Sequence, residues 1–161
     1  MTLVHAISAA FVLALIAACD VMPADSFRDP GAPISATTRF DPAAFSGRWS
    51  IEAAFANDAL AAPKGTLDFA YDPARERITH GGKTFTIPRP GVLAPNDPNA
   101  AKLVVMWVDA DFRTAAIGTS DGTFGAIINR GAALSDDRLK AATEILEFYG
   151  WDTSKLIEVK T

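Results

Sequence analysis

Residues Phe40 to Phe55, FDPAAFSGRWSIEAAF, join one helical turn to a strand through a glycine. Asp41 is a suitable N-cap, and Pro42 fits the first helical position, where the backbone N–H has no partner to lose. After Gly47, the residues Trp49, Ile51, Ala53 and Phe55 alternate with Ser50, Glu52 and Ala54. That is the period of a strand with one face buried. The pattern fixes a chain direction and an inward face from which the rest can be placed.

Outward from this stretch, 161 residues of which 49% are hydrophobic suffice for one domain with its own core. The net charge is −4 and the Lys and Arg residues are scattered, whereas a nucleic-acid binder needs a concentrated basic surface. Cys19 is the only cysteine, so no intrachain disulfide can form. The two histidines, His5 and His80, show no zinc-ligand spacing. No metal or cofactor is expected.

Residues 1–18 contain no Asp, Glu, Lys or Arg, and the run from Phe11 to Ala18 is apolar. Its length suits the apolar core of a signal peptide and is too short to span a bilayer comfortably. It ends Leu15-Ile16-Ala17-Ala18-Cys19, which resembles a bacterial lipobox. The resemblance implies a diacylglyceryl thioether on Cys19, cleavage before it, and a lipid-anchored protein of the bacterial cell envelope facing the periplasm. Asp20 leaves inner or outer membrane open. Residues 19–39, with Pro23, Pro30, Gly31 and Pro33, read as the lipidated N-terminus and a flexible linker. A linker of that length has an r.m.s. span of roughly 25 Å.

The remaining residues, 40–161, read mainly as strands. Leu67, Phe69 and Tyr71 alternate with polar or small residues before Asp72-Pro73. Arg77–His80 and Lys83–Ile87 flank Gly81-Gly82, a hairpin signal. Pro88, Pro90, Pro95 and Pro98 then mark a stretch expected to stay outside a sheet. Lys102–Val108 is apolar on both faces, and Phe112–Thr119 and Thr123–Arg130 flank Ser120-Asp121-Gly122. A helix follows: Ser135 is a candidate N-cap, Asp136 and Asp137 suit the positive end of its dipole, and Gly150 suits its C-terminal cap. Leu139, Ala142, Leu146 and Tyr149, with Ile145 and Phe148 beside them, form its apolar stripe.

This order resembles the lipocalins. Gly47-Arg48-Trp49 is similar to the start of their first strand, and Trp107–Arg113 with Ala115–Gly118 to the turn between two late strands. Asn129-Arg130 is similar to a third motif, in which an arginine lies over the first-strand tryptophan. Leu134-Ser135-Asp136 and Tyr149–Ile157 resemble the end of bacterial outer-membrane lipocalins. The resemblance implies an all-β protein with one helix: an antiparallel up-and-down β-barrel with the helix packed outside. The segment from Trp49 to Asp111 is short for five strands and their loops. The expected barrel therefore falls about one strand or hairpin below eight, at the prolines.

The resemblance also implies function. An apolar barrel on a membrane tether would hold a small hydrophobic ligand such as a fatty acid or lysophospholipid. The alternatives are a protein-binding module, such as a protease inhibitor, and a structural envelope lipoprotein with a filled barrel. Strand alternation nominates Ile51, Leu67, Phe69, Phe85, Ile87, Val105 and Trp107 as the inward, ligand-facing set, with a polar head left at the mouth near Lys or Arg. Trp49 and Arg130 are the structural pair closing the other end. Asp109 and Asp111 share a strand face, but the family turn accounts for them. His80 belongs to a glycine turn. No nucleophile elbow, phosphate loop or Cys/His pair appears, and no catalysis is expected.

Overall fold

The alternating runs become strands of one antiparallel meander. In the computed structural model, which describes residues 26–159, a single helical turn α1 (Pro42–Phe45) leads into β1 (Gly47–Phe55). Seven strands follow: β2 (Thr66–Asp72), β3 (Arg77–His80), β4 (Lys83–Arg89), β5 (Val92–Pro95), β6 (Leu103–Val108), β7 (Thr114–Thr119) and β8 (Gly125–Asn129). The helix α2 (Asp136–Phe148) and a short strand β9 (Leu156–Glu158) complete the chain. Each strand pairs with the next, and β1 pairs with both β2 and β8, so eight strands close a barrel. β9 is the extra strand: β2 pairs with β1 over Gly47–Ser50, and β9 takes Ala53–Phe55.

The expected shortfall at the prolines is corrected by this count. Pro88 and Pro95 lie within β4 and β5, and Pro90-Gly91 makes the turn between them. Proline is tolerated there because the register slips between Thr86 and Arg89, so Pro88 sits where the ladder is interrupted, while Pro95 ends its strand. Short strands and tight turns fit a complete barrel into a segment that looks too brief for one.

In a meander, alternate turns lie at alternate ends. The β2–β3, β4–β5 and β6–β7 turns gather with α1 at one end, which is closed. The β1–β2, β3–β4, β5–β6 and β7–β8 loops form the mouth. Inside, Phe45, Trp49, Ile51, Phe69, Ile78, Leu93, Val105, Ile117 and Ile128 belong to one buried cluster. A second cluster covers the outer wall, where Ala142 and Leu146 of α2 meet Phe55, Val104, Met106, Ile127 and Trp151. Gly118 and Gly125 are register partners, and a Cβ on either would come within 2.4 Å of the Trp151 ring. Their missing side chains make the seat for that ring.

Three other expectations change. Ser135 does not cap α2 with its hydroxyl; it accepts from Arg138 Nε at 3.2 Å. Phe148, placed beside the apolar stripe, is 74% exposed. The flexible linker expected over residues 19–39 is, from Ser26 onward, a strap laid on the barrel. Phe27 N–H donates to the Gly122 carbonyl (2.9 Å), Asp29 N–H to Gly150 (2.9 Å) and Thr37 N–H to Val105 (2.9 Å). Phe27, Ile34 and Ala36 join the outer cluster, and buried Arg28 donates through Nε to the Tyr149 carbonyl at 2.9 Å and also to that of Ala32. Cys19, the signal peptide and the start of the linker lie outside the described residues.

Candidate functional site

The closed end is filled and tied. Trp49 is fully buried, its indole N–H donates to the Phe45 carbonyl at 2.9 Å, and the Phe45 and Trp49 ring centres lie 4.9 Å apart. The Arg130 guanidinium carbon sits 4.1 Å from the Trp49 ring centre, which is the expected cation–π pair. Arg130 also donates to three carbonyls: Phe112 (2.7 Å), Ser46 (2.7 Å) and Ala44. One side chain thus ties the plug helix α1 to the β6–β7 turn across the tryptophan face. Burial draws the Arg130 pKa down and Asp109 opposes it. Gly47 has φ +113, and a Cβ there would lie 3.3 Å from an Arg130 nitrogen. The residue before Arg48-Trp49 is glycine for both reasons.

The β6–β7 turn accounts for both aspartates. Asp109 Oδ1 accepts from the N–H groups of Arg113 (2.6 Å) and Thr114 (2.7 Å), and Asp111 pairs with Arg113 at 2.7 Å. Both are engaged in shaping the turn.

The mouth is different. A cavity of about 350 Å³ opens between the β3–β4, β5–β6 and β7–β8 loops. Leu67, Phe85, Leu103 and Phe124 make its apolar floor, continuous with the interior cluster. His80, Lys83 and Thr119 supply polar groups near the rim, and Pro95, Ala100 and Ala101 complete the wall. His80 stacks on Phe69 with ring centres 4.6 Å apart, and its Nδ1 lies 3.0 Å from the Asp68 carbonyl. A carbonyl only accepts, so Nδ1–H donates and Nε2 is left for another partner. Lys83 is exposed beside it. The arrangement can bury an apolar chain and meet a polar head at the rim. A hollow of about 550 Å³ beside it, bounded by Gly47, Phe69 and Gly82 among others, is more open and lacks such a floor. Among the described residues no His, Cys, Asp and Glu cluster is placed to hold a metal ion, and no helix is long and apolar enough to cross a membrane.

Of the seven residues nominated as ligand-facing, Leu67 and Phe85 line the cavity. Ile51, Phe69 and Val105 lie deeper in the interior cluster, and Ile87 packs against it. Trp107 is on the outer wall, which corrects its expected inward position. The β6–β7 register shifts between Val105 and Trp107, so Met106 is an extra residue and the faces exchange beyond it. The same happens in β1: the register shifts between Ile51 and Ala53, putting Ala54 inside and Phe55 outside. Leu103 could have been found by stepping two residues back from Val105. Phe124 and the alanines come from loops, where alternation gives no signal.

Among solved structures, lobster apocrustacyanin A1 is similar, with a TM-score of 0.54 and 18% identity over 83% of this chain and 90% of that one. At that identity the likeness is one of fold. A comparison with curated proteins finds no match. The family model of the lipocalin-like domain matches residues 57–161, from the end of β1 through the helix and last strand. With a closed eight-stranded barrel, an outer helix and a plugged end beneath an arginine, the chain belongs to the lipocalin-like domain family, whose fold commonly binds small hydrophobic ligands and is typically non-enzymatic.

Proposed function

We propose that this protein is a lipid-anchored carrier of the bacterial cell envelope, facing the periplasm, which holds part of a small hydrophobic ligand in the mouth of its barrel. The observation that carries the reading is the apolar cup of about 350 Å³ over a filled lower barrel. That volume lies at the low end of small-molecule sites, about 300–1,000 Å³. A fatty acid or lysophospholipid would insert one end of its chain against Leu67, Phe85 and Leu103. Its head would stay at the rim by Lys83 and His80. Burying roughly 250 Å² of apolar surface at about 25 cal/mol per Å² gives about 6 kcal/mol. Where contacts of the head at the rim offset the cost of association, this corresponds to a dissociation constant of tens of micromolar. The anchor is Cys19, supported by the small residues that precede it at the end of an apolar run.

None of the three tryptophans lines the cup, so calorimetry is a better test than intrinsic fluorescence. The Cys19→Ser chain, titrated with fatty acids and lysophospholipids, should show saturable binding below about 100 μM. Native mass spectrometry of the same chain should show copurified lipid. No saturable heat and no lipid would leave the filled-barrel envelope protein as the reading. Cys19→Ser should also move the protein from the membrane to the soluble fraction; unchanged membrane fractionation would remove the anchor.

A further inference from the structure

The strap decides which way the barrel points. The chain enters β1 at the closed end, so a free linker over residues 19–39 would attach the tether there. Instead residues 27–37 run along the outer wall: Phe27 bonds Gly122 of the β7–β8 loop at the mouth, and Ala36 and Thr37 lie against Gly91 of the β4–β5 turn at the closed end. The described strap therefore begins at Ser26, on the rim. Gly122 is the contact point: it has φ +76, and a Cβ there would lie 2.4 Å from Ser26 Oγ and 2.9 Å from Arg28 Cβ.

Cys19 precedes Ser26 by seven residues, which span at most about 25 Å fully extended. We propose that the barrel is anchored mouth-down, with its loop rim held against the lipid bilayer. The inference rests on the lipid at Cys19 and deepens the carrier reading. Turning the closed end to the membrane would consume the whole tether, because β1 alone, nine residues long, runs about 30 Å. The mouth-down pose requires none of that length.

The rim fits a lipid surface. Leu60, at the tip of the β1–β2 loop, is 93% exposed between exposed Ala59 and Ala61. Lys64, Lys83, Lys102 and Lys155 stand exposed on mouth loops, and among the described residues none of them makes an ion pair. The rim also carries Asp58, Asp97, Asp121 and Asp152. Each accepts from a backbone N–H of its own loop: Leu60, Asn99, Thr123 and Ser154 respectively. The carboxylates are engaged by their own loops; Lys155 Nζ donates to Asn57 Oδ1 at 3.0 Å, and Lys64, Lys83 and Lys102 are the ammonium groups available for lipid phosphates. An apolar tip on the same rim as exposed lysines is the composition of an interfacial contact. A chain drawn from the bilayer would then reach the cup without crossing bulk water.

The test uses the full lipidated chain, reconstituted into phosphatidylcholine/phosphatidylglycerol vesicles that contain brominated phosphatidylcholine. A bimane label is placed at Leu60→Cys on the rim or at Ala74→Cys on the β2–β3 turn, Cys19 being consumed in its thioether. In vesicle-bound protein, quenching should be at least about threefold stronger at position 60, since interfacial contacts reach only about 5–10 Å into the bilayer. Equal quenching, stronger quenching at 74, or none at either position in protein that floats with the vesicles overturns the orientation. The last result would point to a protein partner on the rim. Protein that does not float lacks the anchor, and the orientation falls with it. Gly122→Val, which displaces Ser26, should shrink the difference between the two positions while flotation persists. A difference that survives in this variant overturns the strap as its cause.

Discussion

The two ends of this barrel are built from the same alternating strands, yet one is a lock and the other a cup. At the closed end the Phe45 ring packs at a tilt against those of Phe40, Trp49 and Phe69, with ring centres 4.9–5.2 Å apart. Arg130 covers Trp49 and spends its donors on carbonyls. At the mouth, Phe85, Leu103 and Phe124 line an open cavity. The cations divide in the same way. Arginines gather at the closed end: Arg48 pairs with Asp68, Arg75 with Asp72 and Arg113 with Asp111, while the rim carries four lysines outside ion pairs. A guanidinium fork suits several fixed acceptors, and a hydrated ammonium on a flexible stem suits a moving partner. Stability is concentrated where the fold is locked, and adaptable contact where it is open.

The largest break in that comparison should come from the lock. Trp49→Ala removes a fully buried ring, the bond to Phe45 and the seat of Arg130. About 3–5 kcal/mol is expected, a large part of the roughly 5–15 kcal/mol that holds a domain together. Chemical denaturation should show a much lower midpoint. A loss below about 1 kcal/mol would mean that the closed end does not carry the fold.

Phe85→Ala should cost less, about 1–2 kcal/mol, although a fully enclosed phenylalanine loses about 3–5. Its ring already borders a cavity, so truncation enlarges existing space. The same variant should change ligand binding, by favouring bulkier chains in calorimetric titration. A stability loss as large as that of Trp49→Ala would show that the mouth is packed as tightly as the lock.

How much of this could be read in the sequence depends on how local the signal was. The plug, Gly47 and Trp49 were legible because a cap, a glycine break and an aromatic leave a pattern within ten residues, whereas Arg130, far along the chain, was legible only through its resemblance to a lipocalin motif. The inward set was legible up to the bulges. In β1 and β6 one extra residue exchanges the faces, and Trp107 and Phe55 then lie outside. Nothing in a run such as LVVMWV, apolar on both faces, reveals where the slip occurs. The β4–β5 hairpin was hidden by prolines that happen to sit where the ladder does not need an N–H. The strap was illegible for another reason: Phe27, Ile34 and Ala36 follow no helical or strand period and are bound by contacts far along the chain.

The smallest expected effect lies at the rim, in Asp121. Burial works to raise its pKa, but the Thr119 hydroxyl (2.6 Å) and the Thr123 N–H (3.1 Å) and hydroxyl (2.9 Å) outweigh burial, and the net shift is downward. A carboxyl with a lowered folded pKa stabilises the fold above its unfolded value, about 3.9, and loses that contribution as pH falls through the folded value. Because the group is exposed and its acceptors can hydrate, Asp121→Asn should cost only about 0.5 kcal/mol at neutral pH. The difference in melting temperature between parent and variant should hold from pH 8 to pH 5, which is still about one unit above the unfolded carboxyl value. It should shrink below about pH 4. Since Asp121 shapes the loop whose Gly122 receives Phe27, the protection of Phe27 N–H against hydrogen exchange, taken relative to the intrinsic rate at each pH, should fall over the same acid range. A melting difference that is constant down to pH 3 would show that the charge of Asp121 does nothing for this loop, and that its threonine bonds alone hold the strap's landing point.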